Sequence, residues 1–175
     1  MKTATIASIA AVAAILLSGC SDTESAGITL AETKSYAQLQ RNTISGQISP
    51  DITESVTRVT DASESCDGDD TRNMRLWRST AQTELTSEAA GEITRILQSI
   101  TGAYVSEGWK SQSEVLSTDT TFVSLVNPSS LAVIELTAVT NVDGIGMGAN
   151  LFVDIAGPCV KTDGPGSAEL ADLGE

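Results

Sequence analysis

Cys66 and Cys159 are the residues whose type and number most directly indicate chemistry in this chain. A pair of cysteines is typical of a disulfide if the chain is exported, which the N-terminal segment described below indicates. Two free thiols or a metal site are the alternatives, but the chain contains no histidine, so a zinc site would need carboxylates to complete its ligands. We therefore predict a Cys66–Cys159 disulfide. It encloses 92 residues, and closing a loop of that size stabilises a fold by about 4 to 5 kcal/mol on loop-entropy grounds.

The absence of histidine also excludes the usual Ser-His-Asp and Cys-His catalytic arrangements. Paired carboxylates occur in Asp67-Gly68-Asp69-Asp70, but aromatic residues make up only 3% of the chain and offer few walls for a sugar cleft. The same stretch does not match an EF-hand, because the fifth and twelfth positions counted from Asp67 hold Thr71 and Arg78. We predict a solvated loop there, with cation binding left open. We predict no catalytic residue, no metal site and no cofactor.

Two further features have residue types that occur in ligand sites. The glycines of Gly144-Ile145-Gly146-Met147-Gly148 follow the pattern G-x-G-x-G and precede a predicted strand, whereas a dinucleotide site needs G-x-G-x-x-G before a helix. A turn between strands is therefore predicted. Trp77, Tyr104 and Trp109 could line a groove, but we expect them to pack between helix and sheet. No ligand-binding residue is assigned from the sequence.

The third cysteine, Cys20, follows a segment with the character of an export signal. Lys2 supplies a positive charge, and 6–17 is a 12-residue run that is apolar except for Ser8, too short to cross a hydrocarbon core of about 30 Å. Leu17-Ser18-Gly19-Cys20 resembles the lipobox of bacterial lipoproteins. The resemblance implies cleavage before Cys20 and a diacylglycerol on its thiol, and two acyl chains anchor a protein stably. The alternatives are an ordinary signal with a chance cysteine and an uncleaved anchor.

The predicted mature chain, from residue 20 onward, is strongly acidic. It carries nine basic and 23 acidic side chains, a net charge of −14, because the removed segment holds one lysine and no acid. Such a surface repels nucleic acid and anionic lipid headgroups. We therefore expect no nucleic-acid partner, and we expect contact with the membrane through the Cys20 lipid alone.

Two helices are predicted. The capping-box spacing of Thr29 and Glu32 indicates a helix over about 30–46. Apolar residues recur at spacings of three and four from Ala89 to Tyr104, which is typical of a long amphipathic helix that Gly108 ends.

Strands are predicted at 74–79, 109–116, 121–126, 131–140 and 150–156. Residues 51–59 are left open between a short helix and an extended segment, and 61–70 are predicted to be a loop. The expected fold class is α+β, with an antiparallel sheet of about five strands, two helices packed on one face, and one disulfide. The expected boundaries are a signal peptide at 1–19, a lipidated tether at 20–28, one α+β domain at 29–160 and a flexible acidic tail at 161–175.

Four local motifs run through this layout. They are Leu17-Ser18-Gly19-Cys20, Cys66 ahead of the Trp77 strand, Gly108-Trp109 after the long helix, and Gly157-Pro158-Cys159-Val160 after the last predicted strand. With these motifs the chain resembles small actinobacterial cell-envelope lipoproteins of uncharacterised function. The resemblance supports the layout and the disulfide, and it implies no catalytic residue.

The function expected from the sequence is that of a non-enzymatic, lipid-anchored protein on the extracytoplasmic face of the cell membrane, acting as an interaction or structural module toward an envelope partner. The alternative is a small-molecule or lipid carrier that binds between the helices and the sheet. A carrier needs a continuous apolar pocket of about 300 Å³ or more. An interaction module is expected to have a filled core and either an exposed apolar patch or an uncovered sheet face.

Overall fold

A computed structural model describes residues 27–66, 73–140, 148–164 and 167–174. Several features discussed above lie outside the described residues: the signal segment 1–19, Cys20 and the tether as far as residue 26, the acidic stretch 67–70, and residues 144–147 of the glycine-rich turn.

The described chain is built around a seven-stranded antiparallel sheet. Its strands are β1 Thr53–Ser65, β2 Met74–Leu85, β3 Lys110–Ser117, β4 Thr120–Val126, β5 Val133–Thr140, β6 Ala149–Ala156 and β7 Val160–Lys161. Six of them lie in the order β1-β2-β6-β5-β4-β3, and β7 pairs with the beginning of β2. Strands β1 and β3 are therefore the two edges of the sheet.

Three α-helices belong to the described chain: α1 Leu30–Gly46, α2 Ile93–Ser106 and α3 Ala168–Asp172. Helix α1 packs on β2 and β6, and α2 packs on β4 and β5. The predicted capping box is present, since Thr29 Oγ accepts the Glu32 N–H at 3.2 Å and Glu32 Oε2 accepts the Thr29 N–H at 2.7 Å. Gly108 follows the end of α2 with a φ of +93°, a conformation that glycine adopts without a steric penalty.

The core lies between the helices and one face of the sheet. Successive strand residues point to opposite faces, and one register row on the helix side joins Ala81, Val153, Leu136 and Val123 across four strands. All four side chains are buried, as are their neighbours Leu151 and Ile155 and the facing helix residues Ile44 and Ile100. The alternate residues of the same strands consequently lie on the other face of the sheet.

Helix α1 is tied to the first two strands by a part-buried ion pair. Arg41 Nη1 donates to Asp61 Oδ2 at 2.8 Å and to Ser79 Oγ at 2.7 Å, and the two charged side chains are 12% and 24% exposed. Burial would raise the pKa of Asp61, but its hydrogen bonds with Ser79 and Arg41, and the charge of Arg41, outweigh burial and lower the pKa. The Lys34 ammonium lies 4.5 Å from the centre of the Trp77 ring, a cation–π distance.

The predicted disulfide is confirmed. Cys66 and Cys159 are bonded, with 6.0 Å between their Cα atoms. Cys66 directly follows β1 and Cys159 directly precedes β7. The bond therefore joins the two chain segments that flank the beginning of β2.

The α+β class and the antiparallel sheet are also confirmed, but the predicted number of about five strands is wrong. Strand β1 occupies 53–65, where the sequence indicated an ambiguous segment followed by a loop, and the short β7 adds another. Edge position explains the omission of β1. Within this strand only Ser63 is buried, so the strand has no apolar face and no alternation to reveal it.

The segment 161–175, for which a flexible acidic tail is predicted, contains the end of β7 and helix α3. Lys161 belongs to β7, and α3 buries Leu170 at 5% exposure. The tail is held to α1, because the Leu30 N–H donates to Glu169 Oε1 at 3.3 Å and Lys34 Nζ donates to the Leu173 carbonyl at 3.0 Å. A five-residue helix is too short to show apolar periodicity, which is why the sequence pattern missed it.

Candidate functional site

The candidate site is the face of the sheet opposite α1 and α2, which no described helix covers. We call it the uncovered face, and it consists of Leu76, Arg78, Thr80, Gln82, Phe122, Ser124, Val133, Glu135, Thr137, Phe152 and Asp154 with their edge neighbours. Most of these side chains are half-buried. The face is therefore a mixed polar and apolar surface rather than a wholly solvated one.

Both phenylalanines of the chain lie on the uncovered face. Phe152 on β6 and Phe122 on β4 flank Thr137 on β5 in a single register row, two strand spacings or about 10 Å apart. Phe152 is 37% exposed and Phe122 is half-buried. Phenylalanine is among the residue types most often found fully buried. Placing both on the uncovered face therefore gives that face two aromatic rings outside the core.

The adjacent register row is acidic. Asp154 and Glu135 are direct cross-strand partners, and like charges in that position repel. Arg78 partly offsets them, since its guanidinium lies 2.7 Å from Asp154 Oδ1 and 2.8 Å from Glu64 Oε2. Burial would lower the pKa of Arg78, but these two carboxylates outweigh burial and raise it. Glu135 forms no ion pair with any described residue.

Two shallow grooves run along this surface. One of about 310 Å³ lies over β1, β2 and β6 and is lined by Arg58, Thr60, Thr80, Gln82, Phe152 and Asp154, among others. The second, of about 260 Å³, shares Asp154 and continues toward Leu76, Val133 and Glu135. The first groove places the Phe152 ring beside Asp154, and the second places Asp154 beside Glu135.

The helix side of the sheet differs, because side chains fill it. Clefts of about 230 Å³ and 180 Å³ open on the helix layer, one between the end of α1 and α2 near Ile96, and one between the two helices near Tyr104. Both are smaller than the roughly 300 Å³ of a typical small-molecule site. Leu97, Ile100 and Leu136 beneath them are at most 2% exposed. The larger groove therefore lies on the uncovered face.

The aromatic residues singled out from the sequence are core residues. Trp77 and Trp109 are 2% and 6% exposed, and the Tyr104 and Trp109 rings meet edge to face at 5.1 Å. The Tyr104 hydroxyl donates to Gln40 Oε1 at 2.6 Å. Burial, together with the nearby Tyr36 and Glu107, raises the pKa of Tyr104 to about 12. These residues brace the helices on the sheet and do not line the grooves of the uncovered face.

Sequence reasoning assigned no ligand-binding residue and missed the two phenylalanines. A signal was present, because Phe122 alternates with Val123 and Leu125, and Phe152 alternates with Leu151 and Val153. Period-2 alternation places such a phenylalanine on the face opposite the core. Over the described ranges, no three potential metal ligands come together, and no helix is long and apolar enough to span a membrane.

No protein-family model, no curated protein and no solved structure matches this chain.

Proposed function

We propose that this protein is a lipid-anchored envelope protein on the extracytoplasmic face of the cell membrane, and that it acts without catalysis by binding another envelope component on its uncovered face. The binding role rests on one observation: both phenylalanines lie on the face of the sheet that no described helix covers. Exposed aromatic side chains are enriched in protein interfaces. The anchoring role rests on the N-terminal motif that ends at Cys20.

The chemistry of the face defines the kind of partner. Phe152 offers an apolar contact, and the Asp154–Glu135 row beside it carries one carboxylate that Arg78 does not neutralise. A partner segment that presents an apolar side chain next to a lysine or arginine would complement both features. The half-buried threonine and glutamine side chains around them, such as Thr80, Thr137 and Gln82, suit the polar rim of such an interface.

The anchor is tested by metabolic labelling of the full chain in an exporting bacterium with an alkyne-bearing fatty acid. We expect the wild-type chain to take up the label and to remain with the membrane fraction. Cys20→Ser should lose both. An equally labelled or equally membrane-bound Cys20→Ser chain would contradict the lipoprotein assignment, and it would leave the role of the uncovered face untouched.

The binding face is tested by replacing Phe152 with a photoreactive phenylalanine derivative in the full chain and irradiating intact cells. Gln98, exposed on α2, receives the same derivative as a matched control on the helix side. We expect a discrete adduct of protein or envelope-polymer mass from position 152 that is absent from position 98. Phe122→Ser in the same chain should reduce its yield. Equal adducts from both positions, or none from either, would overturn the proposal.

The same experiment separates the carrier alternative. The groove of about 310 Å³ is large enough for a small ligand. An adduct at position 152 that has only the mass of a lipid or small molecule would therefore support a carrier that binds on the uncovered face. That result would contradict the interaction role.

A further inference from the structure

Strand β3 is an exposed edge. All eight of its residues are exposed, including Val115 at 73% and Leu116 at 55%. The strand pairs with β4 on one side, and no described residue pairs with the other side. It contains no proline, and its pairing with β4 is regular from Lys110 to Val115. The opposite edge, β1, has two register irregularities within its first six residues. An unpaired regular edge is a template for another strand.

The residues of β3 that lie on the uncovered face have a self-complementary order. Lys110, Gln112 and Glu114 are cross-strand partners of Val126, Ser124 and Phe122, which places the three on the uncovered face. Their charges are positive, neutral and negative in sequence, with Gln112 at the centre. In a second copy of β3 that runs antiparallel to the first, the charges in the same direction are negative, neutral and positive.

We propose that two copies of this chain join by antiparallel pairing of their β3 edges, centred on Gln112. In that register Lys110 of each copy lies opposite Glu114 of the other, so the interface contains two opposite-charge pairs related by a twofold axis. Cross-strand partners have Cβ atoms about 4.5 to 5.5 Å apart, close enough for these side chains to pair.

Other registers lose the charge pairs. Centring the two strands on Lys110 places two lysines opposite each other, and centring them on Glu114 places two glutamates opposite each other. Like charges directly opposite are destabilising. Registers centred on Ser111 or Ser113 leave every charged residue opposite an uncharged one. The pairing centred on Gln112 is therefore selected by the charges of the strand itself.

The helix side of β3 is compatible with the same register. Val115 lies on that side, because its partner Thr121 pairs onward with the buried Ala138. In the dimer, Val115 lies opposite position 109 of the second copy, where Trp109 is uncharged and buried in its own core, so no charge faces the valine. The twofold axis is perpendicular to the sheet. Both uncovered faces consequently point the same way and form one continuous surface.

The register is tested by disulfide trapping of the full chain in the membranes of an exporting host. Residues at the centre of an antiparallel pair have Cα atoms about 4.5 to 5.5 Å apart, within disulfide range. Gln112→Cys should therefore form a linked dimer under mild oxidation. Glu114→Cys is the matched control on the same strand, because its two copies would lie four residues apart, roughly 14 Å along the strand.

Charge reversal in the Gln112→Cys background tests the pairing. Lys110→Glu should lower the rate of dimer trapping by about tenfold, since two attractive pairs become repulsive. Adding Glu114→Lys to that variant should restore the rate. Lys161→Glu, an exposed reversal on β7, should leave it unchanged. A circular dichroism spectrum that matches wild type shows that each purified variant is folded. Equal trapping at 112 and 114, or a folded double variant that is not restored, would overturn the proposal.

Discussion

At the scale of single residues, Asp61 lies where α1, β1 and β2 meet. It accepts a hydrogen bond from Arg41 on α1, and the indole N–H of Trp77 on β2 is directed at its other oxygen at 3.4 Å. Arg41 is 12% exposed, so removing the carboxylate leaves a mostly buried cation without its counter-charge.

We therefore expect Asp61→Asn to lower the free energy of unfolding by about 2 to 3 kcal/mol at neutral pH. The pKa of Asp61 is lowered in the folded state. Its contribution to stability is therefore complete above the unfolded-state pKa of about 3.9, and it disappears as the pH falls through the folded-state pKa. Urea titrations measure this. The difference in the free energy of unfolding between wild type and Asp61→Asn should be smaller at about pH 3 than at pH 7. Asp51→Asn, at an exposed residue, is the control. An equal loss in the control, or none at Asp61, would contradict this role.

Tyr104 has the opposite dependence on pH. Burial raises its pKa to about 12, so folding favours the neutral phenol. That contribution to stability is complete below about pH 10 and disappears as the pH rises toward 12. In Tyr36→Phe, Tyr104 is the single remaining tyrosine, and we expect phenolate absorbance to appear near pH 12. A midpoint near pH 10 in the folded protein would show that Tyr104 is solvated.

At the scale of elements, the sequence predicted those parts of the fold that have one apolar face and one polar face. Helix α2 and strands β4, β5 and β6 show this amphipathic pattern, and α1 was recognised by the spacing of Thr29 and Glu32. Strand β1 has no such contrast, because it is an edge with nearly all of its side chains at the surface. Its strand conformation comes from pairing with β2, a contact that single-sequence periodicity cannot show.

The candidate site was missed for a related reason. Alternation predicts that Phe152 and Phe122 point away from the core, but it does not predict whether another layer covers that side. Whether the two phenylalanines are covered depends on the side of the sheet to which α2 packs, because α2 lies in the connection between β2 and β3. Both helices lie on the same side, and this arrangement turns two ordinary strand phenylalanines into surface residues.

Helix α3 shows that a short terminal element can still contribute to stability. Leu170 is 5% exposed and packs with the main core. Leu170→Ala should lower the free energy of unfolding by about 2 kcal/mol, at the low end for buried leucines because α3 is peripheral. Leu39→Ala is the control, since Leu39 is 61% exposed on α1 and its change should stay within about 0.5 kcal/mol. Urea midpoints check both values, and equal midpoints for the two variants would mean that the tail is not docked.

At the scale of the whole molecule, the disulfide links residues 93 apart in the sequence. Replacing both cysteines with alanine should lower the free energy of unfolding by about 2 to 5 kcal/mol, because the unfolded chain regains the freedom of a long loop. Denaturant unfolding of oxidised and reduced wild type beside Cys66→Ala/Cys159→Ala provides the measurement. Reduction should reproduce the loss in the wild type and leave the variant unchanged. A variant as stable as the oxidised wild type would contradict this role.

The two tryptophans give the molecule a built-in pair of fluorescent reporters. Trp77 lies beneath α1 and Trp109 follows α2, at 2% and 6% exposure, and the chain has no other tryptophan. Buried indoles emit at shorter wavelengths than indoles in water, so Trp77→Phe and Trp109→Phe each leave one emitter that reports on one half of the helix layer. Coincident urea midpoints for emission and circular dichroism within each variant would show that the halves melt as one cooperative unit. An emission change that precedes the loss of circular dichroism would identify the half that opens first.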